Sequence, residues 1–109
     1  MAEILAGSSN AASVNLTTSD TSKASSTVYV KGATFSGSNS SSSAHSVRFY
    51  SQYKNSAGDY ANDKNCKVEI GKSCPRTSTY KFASKVYWRL LLKPNALNAK
   101  DCTASGTIS

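Results

Sequence analysis

The side chains able to do chemistry in this 109-residue chain are few and dispersed. One histidine, His45, stands among 21 serines. A hydrolytic relay would need serine, histidine and acid in contact, with the serine on a strained turn. No G-x-S-x-G segment supplies that turn. His45 falls at the edge of a serine run on the parity of apolar residues, so a structural role is expected. Asp59, Asp63 and Glu69 are the only clustered acids, and Lys64, Lys67 and Lys72 lie among them. Surface ion pairs are the expectation there, rather than a glycosidase carboxylate pair.

The three cysteines, Cys66, Cys74 and Cys102, contain no C-x-x-C pair, and a single histidine is too few for the usual Cys/His metal sites. No metal, no cofactor and no enzymatic activity are expected. Cys66 and Cys74 flank a Gly-containing turn, and a disulfide across it is geometrically reasonable. Two alternatives stand beside it: Cys102 bonded to either partner, or three buried thiols in a reducing compartment.

Thirteen Lys and Arg against six Asp and Glu give a formal charge of +7. At this size such a bias suits an anionic partner, either an envelope polymer or a membrane surface. A nucleic-acid partner is not expected, because no recognised nucleic-acid motif accompanies the charge. Only 17% of the chain is charged and 39% hydrophobic; 21 Ser, 9 Thr and 8 Asn make up much of the rest. A Ser/Thr/Asn-rich surface with few carboxylates is typical of secreted bacterial proteins. Secretion or cell-surface display is therefore expected, with the signal peptide removed, since residues 1–7 lack a basic and then a long apolar region.

Any such chemistry must be positioned by strands, because alternation with period two recurs and no helical period is sustained. Strands are expected at residues 13–17 and 26–31, with a bulge at Gly32 where the phase shifts toward Ala33 and Phe35. Residues 36–44 read as a low-complexity loop. A long alternating segment follows from His45 to Lys54, then a turn at 55–59, a strand at 66–70 and a turn at 71–75. Residues 79–93 read as one bent strand or two short ones, and Cys102, Ala104, Gly106 and Ile108 mark a last strand. The expected fold is all-β: a small antiparallel β-sandwich or partly open barrel over residues 13–109. Residues 1–12 would be a flexible segment or an edge strand. Val47, Phe49, Val68, Ile70, Phe82, Val86, Trp88 and Leu90 form the expected core.

The opposite parity carries the candidate function. Tyr29, Lys31, Arg48, Tyr50, Lys67, Tyr87 and Arg89 lie on successive strands. If these strands pair in one sheet, aromatic and cationic side chains interleave on one face, able to stack on rings and neutralise anions. The same residue types are also ordinary solvent-side strand residues. Ile4 and Leu5, on a Gly/Ser tether, could pair with the sheet edge of another copy, giving a homo-oligomer by strand addition.

Val86-Tyr87-Trp88-Arg89-Leu90-Leu91-Leu92-Lys93, followed by Cys102-Thr103-Ala104-Ser105-Gly106-Thr107-Ile108-Ser109, resembles the C-terminal half of small exported β proteins of Gram-positive bacteria, some found alongside lactococcin-type bacteriocins. The resemblance implies an exported, non-catalytic sandwich and assigns no functional residue. The function expected is that of an exported protein acting through its surface, at the cell envelope or as a self-associating structural subunit. The alternative is a cationic, bacteriocin-like antibacterial protein.

Overall fold

The structure, a computed structural model, describes residues 11–109. Nine strands follow in order: β1 (Ala12–Leu16), β2 (Lys23–Ala24), β3 (Val28–Val30), β4 (Thr34–Asn39), β5 (Val47–Lys54), β6 (Tyr60–Val68), β7 (Ser73–Ser78), β8 (Val86–Pro94) and β9 (Ala104–Ile108). A four-stranded sheet runs β1-β9-β4-β7; a five-stranded sheet runs β2-β8-β5-β6, with β3 also pairing β8. Every pairing is antiparallel, so the expected all-β fold is the observed one, as a two-sheet sandwich rather than a closed barrel.

Alternation builds the core. Ala12, Val14 and Leu16 of β1, Ala104 and Ile108 of β9, and Phe35 of β4 point inward from the first sheet. Val28, Val47, Phe49, Val68, Trp88, Leu90 and Leu92 meet them from the second. Two glycines make this meeting close. Gly37 of β4 and Gly106 of β9 are register partners. A Cβ on Gly37 would collide with the Phe49 ring, and one on Gly106 would lie 2.7 Å from Leu90 Cδ2. The paired glycines thus form a hollow that admits the Phe49 ring and the end of Leu90.

Buried polar groups tie the two sheets at Asn39 and brace the five-stranded sheet at Ser25 and Ser51. Asn39 Nδ2 donates to the His45 and Val68 carbonyls at 3.0 and 3.1 Å, linking the end of β4 to β6. Ser25 Oγ accepts the Leu90 amide at 2.9 Å, and Ser51 Oγ accepts that of Lys64 at 3.0 Å. The β5–β6 turn at 55–59 forms as expected. Asn55 Oδ1 accepts the Ala57 and Asp59 amides, and Gly58 takes φ +88°.

Several expectations need correction. Residues 36–39, read as loop, lie in β4 between β9 and β7. Serine supplies the outward positions, while Phe35, Gly37 and Asn39 face inward. Gly32 is not a bulge; the chain there leaves the sheet of β3 for that of β4, and the bulges fall near Phe35–Gly37 and Tyr50–Gln52. Cys74 and Pro75 belong to β7 rather than to a turn. This is an edge strand, where proline is tolerated. Ile70 lies beyond the end of β6 and is exposed, not core. Residues 79–85 are outside any strand, with Phe82 and Val86 half-buried against the core. Ala12, placed in the leading segment by sequence, opens β1; Ile4 and Leu5 lie outside the described residues.

Candidate functional site

The strands bearing the candidate residues do pair in one sheet. β8 is flanked by β3 and β5, and β5 by β6. Inward demand for Trp88, Leu90, Leu92, Val47 and Phe49 fixes the parity, which turns Tyr87, Arg89, Leu91 and Lys93 outward from β8 and Arg48, Tyr50 and Gln52 outward from β5. Tyr29 is the register partner of Tyr87, and Arg48 is the partner of both Lys67 and Lys93. Six of the seven candidates therefore share a face. Lys31 does not: it lies past the end of β3, in the turn toward β4, where its carbonyl accepts the Phe82 amide at 3.0 Å.

The face divides into three patches. At one end the Tyr29 and Tyr87 rings lie 4.6 Å apart with both residues about half exposed, and Lys85 Nζ sits 5.9 Å from the Tyr29 centroid. In the middle the Arg89 guanidinium lies 3.8 Å from the Tyr60 centroid, and its Nε donates to Gln52 Oε1 at 2.8 Å. Gln52 Nε2 in turn donates to Asn62 Oδ1 at 2.8 Å. At the other end Arg48 Nε donates to Asn95 Oδ1 at 3.1 Å and Nη1 to Asn65 Oδ1 at 2.8 Å. An open cleft of about 310 Å³ lies there between β5, β8 and the loop after Pro94.

Arg48 and Arg89 are thus held by amide oxygens and an aromatic ring, which orient them without neutralising their charge. Among the described residues the face holds one ion pair, Lys67 to Glu69 at 3.5 Å, just past the end of β6. The other expected acid–lysine pairs are replaced. Asp63 accepts the Tyr80 amide at 2.9 Å, and among the described residues no ion pair forms at Asp59. Asn65, Gln52, Tyr60, Lys93 and Asn95 belong to the site but were not among the sequence candidates. The outward parity of Lys93 was legible; the register that sets it beside Arg48 was not.

The expected Cys66–Cys74 disulfide is absent, because all three cysteines are free thiols. Cys66 lies on β6 and Cys74 on β7, strands of opposite sheets, so the two meet as neighbouring unbonded thiols between the layers rather than on two arms of a tight turn. Burial, and then the neighbouring Cys66 thiol, push Cys74 from its ordinary 9.0 up to about 12. Its Sγ donates to the Pro75 carbonyl at 3.4 Å. Such a thiol stays protonated and is a poor nucleophile. Cys102 is fully buried, its Sγ donating to the His45 carbonyl at 3.5 Å. His45 contributes that backbone oxygen, and among the described residues its ring has no hydrogen-bond partner.

No protein-family model matches the sequence, and no curated protein matches it. Among solved structures, the crystal structure of PirA superposes over 97% of this chain and 97% of its own, with a TM-score of 0.55 and 10% sequence identity. At that identity the two chains are alike in fold.

Proposed function

We propose that this protein is an exported, non-enzymatic sandwich that holds an anionic polymer of the cell envelope on the outward face of its five-stranded sheet. One observation carries the reading. Tyr29, Arg48, Tyr50, Lys67, Tyr87 and Arg89 share that face, and its outward strand positions contain no carboxylate. Like charges directly opposite one another on neighbouring strands destabilise a sheet, as Arg48 is placed here between Lys93 and Lys67, of which Lys67 alone has a carboxylate partner, Glu69. Folding alone gives no reason for such a row; an anion laid across it does. The surface rich in Ser, Thr and Asn and the resemblance of residues 86–93 and 102–109 to exported Gram-positive proteins support a place outside the cell.

The test is binding of the full chain to soluble poly(glycerol phosphate), with a neutral glucan as control. Binding should be saturable, weaken steeply between 50 and 300 mM salt, and fall with the double variant Tyr87→Ala/Arg89→Ala. Equal retention by the neutral glucan would sink the reading. Dye release from anionic vesicles at the same protein concentration would favour the antibacterial alternative instead.

Self-association has its own support in β1, which among the described residues pairs with β9 alone and follows residues 1–10 directly in the chain. Deleting residues 1–9 should convert oligomer to monomer in light scattering; a monomer both before and after deletion would remove strand addition.

A further inference from the structure

We infer that the Arg48 cleft is a phosphate-ester site, which takes one repeating unit of a phosphodiester polymer. This deepens the proposed function and rests on it. A guanidinium carries five N–H donors. Arg48 uses two of them, Nε on Asn95 and Nη1 on Asn65, leaving both hydrogens of Nη2 and one of Nη1 for a ligand. Two neutral amides, one from β6 and one from the loop after β8, thus fix the plane of the group while its charge stays unneutralised. Lys93, the register partner of Arg48, lines the same cleft and has no ion pair among the described residues. A planar fork beside a point charge is the donor set that a tetrahedral oxyanion takes.

The cleft's remaining wall says what the anion is attached to. Tyr50, Ala96 and Leu97 line it, Leu97 standing 91% exposed on its rim. A bare ion would leave that wall unused, whereas an ester's carbon body can lie against it. About 310 Å³ is at the low end for ligand sites, room for one small unit rather than a large cofactor. The cleft is open, and β8 runs away from it from Lys93 past Arg89 to Tyr87, six residue steps or about 20 Å. A chain can continue along that track, which favours a polymer over a bilayer, whose headgroups would meet the face as a plane.

The experiment titrates the full-length protein with sn-glycerol 3-phosphate, inorganic phosphate, glycerol and poly(glycerol phosphate), following backbone amide shifts. Arg48→Lys keeps the charge and loses the fork; Lys93→Gln removes the second cation; Lys54→Gln removes a cation at the far end of β5. We expect glycerol 3-phosphate to bind saturably with shifts at residues 48–50 and 93–97, and more tightly than inorganic phosphate. Arg48→Lys and Lys93→Gln should each weaken it about tenfold or more, and Lys54→Gln less than about twofold. Unchanged melting temperatures confirm that the variants fold. Polymer binding without saturable glycerol 3-phosphate binding, or with Arg48→Lys equal to wild type, overturns the site but leaves the face. Equal affinity for inorganic phosphate overturns the ester. Binding to phosphatidylglycerol vesicles but not to soluble polymer overturns the polymer. No binding to any phosphate compound or vesicle brings down both the site and the reading on which it rests.

Discussion

Outward from β5 and β8 stand Arg48, Tyr50, Gln52, Tyr87, Arg89, Leu91 and Lys93; outward from β1, β4 and β9 stand Ser13, Asn15, Ser36, Ser38, Ser105 and Thr107. Both sets back onto the same core, so packing makes the same demand of each sheet and leaves its solvent side free. Across β1, β4 and β9 the hydroxyl face is uncharged and open, with Arg76 exposed on the edge strand β7 and shallow depressions of about 320 Å³ lined by such groups as Asn15, Ser38 and Ser105. Serine and asparagine are poor strand residues, so that sheet is held together from inside, by Leu16, Phe35, Ile108 and the glycine hollow. The cationic sheet adds a second set of interactions on its outside, with Tyr29 on Tyr87 and Arg89 on Tyr60. Side chains in excess of what the fold requires are gathered on one face, and the proposed binding face rests on that asymmetry.

The comparison can be broken first at the shared core. Trp88→Ala should cost about 3–5 kcal/mol in chemical denaturation, because its ring is fully enclosed. A loss below 1 kcal/mol would mean that the sheets do not depend on a common interior. Gly106→Ala should cost about 1–3 kcal/mol by driving a methyl toward Leu90 Cδ2 and the Phe49 ring. Co-substitution of Phe49→Leu should recover part of that loss.

Alkaline pH comes next. The raised Cys74 value means that the fold favours the protonated thiol, so this stability is intact below about 9 and is lost as pH rises toward 12. The melting temperature should fall over that window, and Cys74→Ala should flatten the fall.

The outer faces should respond least. Arg89→Ala should cost about 0.5–1.5 kcal/mol through its ring and amide contacts, and Ser105→Ala less than about 0.5. A sharper comparison moves charge between faces. The triple variant Ser13→Lys/Ser105→Lys/Thr107→Lys raises net charge on the hydroxyl side. It should leave affinity for glycerol 3-phosphate within about twofold, if arrangement rather than total charge governs binding.

The two faces were unequally legible in sequence. Alternation alone identified Val47, Phe49, Trp88 and Leu90 as inward and Tyr87 and Arg89 as outward, because apolar and polar types there change with each residue. β4 was missed because Ser36-Gly37-Ser38-Asn39 has no such contrast: its inward residues are a glycine, chosen for absence of a side chain, and a buried asparagine. Ile70 was misplaced because alternation does not say where a strand stops. The Arg48 cleft depends on the register of β5 with β8 and on the loop after Pro94, which are properties of pairing across the chain. The proximity of Cys66 to Cys74 was legible from their spacing, but not that they meet from different sheets, because separation along the chain does not reveal that β6 and β7 part.

Trp88 is the only tryptophan in the chain and sits inside the sandwich, with the Tyr53 and Phe82 centroids 5.6 and 5.8 Å from its own. Among the described residues its Nε1 has no hydrogen-bond partner. An indole in such surroundings emits toward the blue and is shielded from dissolved quenchers. Its neighbours on the strand, Tyr87 and Arg89, point to the opposite side, so a polymer lying on them is screened from the indole by the backbone of β8. Intrinsic fluorescence in this molecule is therefore a gauge of unfolding that stays blind to occupancy of the outer face, whereas Tyr29 and Tyr87 are the chromophores that a bound polymer would touch.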